Sequence, residues 1–180
     1  MNTVTATANN TQTSQAMTQI NPNIGLSATD REAVIQRLNV TLADEHTLYV
    51  KTRNYHWNIT GLQFYALHEL LENHYNSMQE QADDLAERIR MLGGRAIGTM
   101  QEFTEHTRLT ERPGEEGNAM KMITQLLADH EEIVSRLRHD IETVMEDHSD
   151  EGTGDLLVGT MRMHEEMAWM LRATLSENMS

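Results

Sequence analysis

The sequence predicts an all-α four-helix bundle with one long connection between its second and third helices. Three observations carry this prediction. Apolar residues recur at steps of three and four through four long stretches, only two prolines occur in 180 residues, and glycines punctuate the stretches rather than interrupt them. The length suffices for one domain with a real core.

Residues 1 to 29 contain no Asp, Glu, Lys, Arg or His. Positions 1–27 therefore read as a flexible polar arm, and 28–180 as the bundle domain. "LSATD" supplies Ser27 or Thr29 as a helix N-cap, with Asp30 and Glu32 placed to favour the helix N-terminus. The first helix is predicted over about 28–58. Gly61 closes a short turn, and the second helix follows over about 62–92, ended by Gly93-Gly94. Residues 93–115, with Pro113 and Gly114, form the long connection. The third helix is expected over about 116–147, "HSDEGTGD" as a loop, and the fourth over about 153–177.

The core seams follow from the same spacing. They are Leu67, Leu71, Tyr75, Met78, Ala82, Leu85, Ile89 and Leu92 in the second helix. In the third they are Ile123, Leu127, His130, Val134, Leu137, Ile141 and Val144. The fourth contributes Leu157, Met161, His164, Ala168, Leu171 and Leu175.

Composition narrows the function. The formal charge of −14 disfavours nucleic acid and favours cations. The absence of cysteine excludes disulfides, thiolate metal sites and Cys nucleophiles. No apolar run reaches the length of a membrane span, and the first residues match neither a signal nor a transit peptide, so a cytoplasmic protein is expected. Nine histidines add a second sign of metal chemistry.

The second helix carries two i, i+4 pairs, His68 with Glu72 and Asp83 with Glu87. All four positions fall within about 100° on one helical face, yet Glu72 and Asp83 are about 16 Å apart along the axis. One chain cannot gather them around one ion. The two pairs are, however, mirror-related about a point between Ser77 and Met78. Two copies of the helix crossed antiparallel at that point bring His68 to the partner copy's position 87, and Glu72 to position 83, twice at one isologous interface. His56 joins from the first helix, because the hairpin turning near Gly61 and Leu62 sets positions 56 and 68 at the same height. Mixed imidazole and carboxylate ligands suit Fe(II) or Zn(II). Taken separately, each pair is an ordinary solvated helix face, with Arg88 and Arg90 available to balance Asp83 and Glu87.

"KTRNYHWNITGLQFYALHELLE" and "DDLAERIRMLGG", followed by "MAWMLRATL" in the fourth helix, resemble the signature of the Dps family, the mini-ferritins. The resemblance spans roughly residues 28 to 177. It implies a ferritin-like bundle assembled as a hollow dodecamer, with ferroxidase centres at two-fold interfaces. There Fe(II) is oxidised by hydrogen peroxide or dioxygen, and ferric mineral is stored inside. It assigns the family's two histidines to His56 and His68, its bridging carboxylate to Glu72, and the carboxylates lent by the second copy to Asp83 and Glu87. Trp57 matches a tryptophan beside the centre that takes up oxidising equivalents, packing at the hairpin being its simpler role. The cofactor implied is di-iron, with zinc as a substitute. No histidine has Glu three positions before it, which counts against the intra-bundle site of larger ferritins.

Other positions admit two readings each. His130 and His164 lie in core seams, as hydrogen-bonded core histidines or as an additional metal site, and Glu45 is expected to face inward. Asp150, Glu151 and Asp155 flank the fourth helix, as N-terminal caps or, by the resemblance, as the lining of three-fold iron-entry pores. His46, His74, His106, His139 and His148 have no assigned role. The arm has no base before Arg31 and "SENMS" has none, so weak or absent DNA binding is expected despite the family's association with DNA. The rival functions are a DNA-coating, nucleoid-associated protein and a zinc-binding or purely structural shell.

Overall fold

The computed structural model describes residues 22–114 and 117–176. The expected arm, and the last residues of the chain, lie largely outside them. The described residues are helical, with α1 at Ala28–Asn58, α2 at Phe64–Met91, α3 at Met100–His106, α4 at Ala119–Glu142 and α5 at Glu151–Ser176. A π-helical turn, Thr143–Asp147, closes α4. The hairpin partners α1 with α2 and α4 with α5 pack most extensively, which makes the bundle two hairpins laid together.

Local chemistry sets the helix ends. Ser27 caps α1 by accepting from the Asp30 backbone N–H at 3.1 Å. After α2, Gly93 turns to φ +89°, and the Gly94 N–H reaches the Ile89 carbonyl at 3.0 Å. A Cβ on Gly94 would stand 2.8 Å from Ile35, so this corner also needs glycine for packing.

Three expectations are corrected. Most of "HSDEGTGD" is helix rather than loop, because Asp150 accepts the Thr153 N–H and starts α5 at Glu151. The connection after Gly94 contains a helix, α3, started by a capping box. Thr99 accepts from the Glu102 N–H, while the Glu102 carboxylate takes the Thr99 N–H. In α4 the fully buried positions are Leu126 and Ile133, whereas Leu127 and Val134 are only half-buried. The helix carries two adjacent apolar stripes, and spacing alone does not say which one turns inward. The α2 seam is buried as expected, except that Tyr75 stays half-exposed.

α1 is the unusual helix, because its inner face buries Asp44, Glu45 and three threonines among its leucines. Asp44 has no solvent exposure. It receives the Arg108 N–H at 2.6 Å, the Arg108 Nε–H at 2.8 Å and the Thr107 hydroxyl at 3.0 Å. The same guanidinium reaches Asp140 on α4 at 2.8 Å. Burial pulls the Arg108 pKa down, but the facing Asp44 and Asp140 charges more than reverse this, and the net direction is up. The long connection is thereby pinned across the bundle from its middle.

Candidate metal centre

His56 lies in the last turn of α1 and His68 in the first turns of α2, and the hairpin stacks the two rings 3.6 Å apart. Each ring donates to the backbone of the other residue. His56 Nδ1–H reaches the His68 carbonyl at 2.9 Å, and His68 Nδ1–H reaches the His56 carbonyl at 2.9 Å. A carbonyl can only accept, so both neutral rings carry their proton on Nδ1 and present a bare Nε2 lone pair. That tautomer suits metal binding through Nε2, and backbone acceptors hold it.

Glu72 follows one turn after His68 and is exposed. Its Oε1 accepts from the Tyr75 hydroxyl at 3.2 Å. The Tyr75 ring stands edge-on to His56, with centroids 5.2 Å apart. Burial of the ring edge and the Glu72 carboxylate both push the Tyr75 pKa up, which keeps the hydroxyl a donor. The Arg53 guanidinium lies 5.4 Å from the Tyr75 ring, 5.5 Å from Tyr49 and 5.0 Å from Trp57. Trp57 itself is 63% exposed. Tyr75 and Arg53 are neighbours of the site that residue spacing did not single out. The signal was present, since residues 49, 53 and 57, and likewise 72 and 75, share helical faces.

Asp83 and Glu87 are exposed further along α2 and carry no ion pair among the described residues. Arg88 is occupied by Asp150 at 2.8 Å and Thr153 at 2.9 Å, and Arg90 by the Gly94 carbonyl. Neither arginine balances them. Within one chain His56, His68 and Glu72 cluster at one end of α2, and the second carboxylate pair stays apart. Among the described residues no three His, Asp or Glu side chains already form a group that could hold a metal ion.

Asp150 is buried and fully used. One oxygen accepts the Thr153 N–H at 3.0 Å and the Arg88 guanidinium, and the other accepts the Thr153 hydroxyl at 2.6 Å. It caps α5, while Glu151 and Asp155 are exposed. His130 and His164 are both completely buried and hydrogen-bonded to each other through Nδ1 at 2.8 Å. His164 Nε2 lies 2.5 Å from Glu45 Oε1. His74, which had no assigned role, joins them edge-on to His130. Burial, with His164 close by, brings the His74 pKa down to about 4, and burial pushes His130 well below the ordinary range.

The chain is similar to several known proteins. A ferritin-like domain model matches residues 35–179. An uncharacterized low temperature-induced protein of Nostoc is 44% identical over 151 residues, covering 84% of each chain. The DNA protection during starvation protein 2 of Bacillus anthracis is 37% identical over 144 residues, covering 80% of this chain and 97% of that one. Among solved structures, DpsC from Streptomyces coelicolor superposes with a TM-score of 0.82 at 34% identity, over 87% of this chain and 90% of that one. The Dps protein from Vibrio cholerae, described as a member of a broad superfamily of ferritin-like diiron-carboxylate proteins, gives 0.80 at 30% identity, over 86% and 96%.

Proposed function

Because the chain belongs to the Dps family of ferritin-like proteins, we propose that it oxidises Fe(II) at sites completed between two copies of itself and keeps the ferric product inside a shell of twelve. Iron is substrate and cargo here. The observation that carries the reading is the reciprocal His56–His68 pair, with both Nε2 lone pairs free beside Glu72. The self-complementary spacing of Asp83 and Glu87 supports the interfacial arrangement.

The residues divide the work simply. His56 and His68 hold one side of the iron, Glu72 bridges, and the second copy's Asp83 and Glu87 add negative charge that favours the ferric product. Tyr75 holds the Glu72 carboxylate, and Trp57, stacked on Arg53, takes up stray oxidising equivalents. Two Fe(II) give two electrons to one peroxide, two protons are consumed, and two waters form. Paired electron transfer avoids the one-electron route to hydroxyl radical. Dioxygen serves as the alternative oxidant, and zinc as a substitute metal at the same ligands. Entry through three-fold pores would rest on Glu151 and Asp155, since both Asp150 oxygens are engaged. No helix among the described residues is long and apolar enough to cross a membrane. A cytoplasmic location fits the reading, with nucleoid association as a variant.

The test is addition of Fe(II) with peroxide and, separately, with air. Rapid growth of ferric absorbance, and iron that co-elutes with the assembled protein, are the expected results. Oxidation no faster than in buffer, with no retained iron, would leave a zinc-binding or structural shell. The DNA-coating alternative has its own readout. With net charge −14 and no base before Arg31, few counterions are released on contact with phosphates. No retarded duplex DNA band is expected at about 0.15 M salt near neutral pH, and a clear retarded band would reverse that expectation.

A further inference from the structure

Tyr75 touches the candidate site in two ways that together go beyond steadying a carboxylate. Its ring stands edge-on to His56, with centroids 5.2 Å apart, which puts a phenol against an imidazole that offers Nε2. Its hydroxyl donates to Glu72 Oε1 at 3.2 Å, within reach of direct proton transfer. A phenol that loses an electron becomes a strong acid, so the electron leaves readily only where a base takes the proton with it. The neighbouring rings lack that base. Tyr49 lies edge-on to Tyr75 at 6.1 Å, but its hydroxyl donates to the Gln79 amide oxygen at 3.4 Å and accepts from Arg53 at 2.7 Å. Neither an amide nor a guanidinium takes up a proton near neutral pH. Trp57 is exposed, with Arg53 5.0 Å from its ring. The same guanidinium lies 5.4 Å from Tyr75 and 5.5 Å from Tyr49, so positive charge on any of the three rings is repelled. Tyr75 alone of the three can hand its proton to a carboxylate and stay neutral beside Arg53.

Given the ferroxidase reading above, on which this rests, we infer that Tyr75 is redox-active and supplies the second electron when a site holds one Fe(II) instead of two. The oxidant is hydrogen peroxide. Its O–O bond breaks on taking one electron from the iron and one from Tyr75. The Tyr75 O–H bond breaks, and its proton crosses to Glu72 and on to the reduced oxygen. One further proton comes from solvent. The products are ferric iron, a neutral tyrosyl radical and two waters. The next Fe(II) to arrive returns the electron, and a solvent proton restores the phenol. Two Fe(II) are still oxidised per peroxide, and no hydroxyl radical is set free. Glu72 decides when the route is open. With one iron bound, Oε1 keeps its hydrogen bond to Tyr75 and is open to a proton, whereas a bridge between two irons engages both oxygens. Trp57 is left with the equivalents that escape Tyr75.

The experiment uses the full assembled chain, loaded anaerobically with one Fe(II) per site, mixed with one peroxide per iron and freeze-quenched. Electron paramagnetic resonance is expected to show a tyrosyl radical comparable in amount to the iron oxidised. Its lines should narrow in protein grown on ring-deuterated tyrosine, and not in protein grown on deuterated tryptophan. Tyr75→Phe should abolish the signal and raise spin-trapped hydroxyl radical severalfold, whereas Tyr49→Phe should keep it. Loading a second Fe(II) per site should lower the radical yield severalfold. A Tyr75 that only steadies Glu72 predicts slower oxidation in Tyr75→Phe and no radical in the parent. Fe(II) oxidation in the parent without an organic radical, a radical on Trp57 or Tyr49, or a signal that survives Tyr75→Phe overturns the redox role and leaves the ferroxidase reading standing. A parent that oxidises Fe(II) no faster than buffer overturns both.

Discussion

Chains carrying His68→Ala, and chains carrying Asp83→Ala with Glu87→Ala, are each expected to oxidise Fe(II) at least about a hundredfold more slowly than the parent. Co-expressed in equal amounts, they are expected to regain about a quarter of the parent rate. The recovery follows from the geometry of a shared site. If each centre takes His56, His68 and Glu72 from one copy and Asp83 and Glu87 from the other, a mixed pair contains one centre with every ligand intact. Its second centre has lost both halves. Half of the randomly formed pairs are mixed, and half of their centres work. A centre built within one chain could not be rescued this way, because each variant would keep its own defect. A co-expressed mixture as slow as the separate variants would therefore sink the interfacial arrangement. An activity above about a half would imply that one of the carboxylates is dispensable.

The second large effect concerns the fold. Asp44→Ala is expected to cost about 2–4 kcal/mol in chemical denaturation. This is less than the ~3–5 kcal/mol for breaking a fully buried ion pair, because Arg108 is partly exposed. The loss is not only Coulombic. The Arg108 backbone N–H and the Thr107 hydroxyl lose their acceptor, and Arg108 is left to Asp140 alone. For a chain of this size, about 3 kcal/mol corresponds to a melting point roughly 6–12 °C lower. Asp44→Asn should fall between the two, since one oxygen still accepts while the amide faces a donor. A change below about 1 kcal/mol for Asp44→Ala would mean that the connection is held elsewhere.

The residues that spoke clearly in the sequence are those whose signal is periodic or stops abruptly. The α2 seam, the Gly93-Gly94 stop and the matched heights of His56 and His68 are properties of spacing and turn chemistry, which one chain displays unaided. α3 was missed because seven residues carry too few turns for a period, and its capping box sits in a polar connection. The inward stripe of α4 was displaced by one residue, because both Leu126 and Leu127, and both Ile133 and Val134, are apolar. α1 hides its core face for the opposite reason, since Asp44, Glu45 and threonines occupy it. His74 was passed over because a lone histidine between Asn73 and Tyr75 looks solvated until three other helices close around it. The candidate ligands were legible as a pattern, but the carbonyl contacts that set their tautomer were not, because backbone acceptors leave no trace in residue types.

Those carbonyl contacts bear on how the family can vary. The His56 carbonyl lies among the last four of α1, which no helical N–H can reach, so the His68 ring also finishes a helix end. Imidazoles steered by main chain rather than by neighbouring side groups are insulated from substitution around them. Lineages are then free to exchange nearly any flanking residue while the hairpin keeps its pitch, whereas a single insertion between Asn58 and Phe64 would misdirect both rings at once.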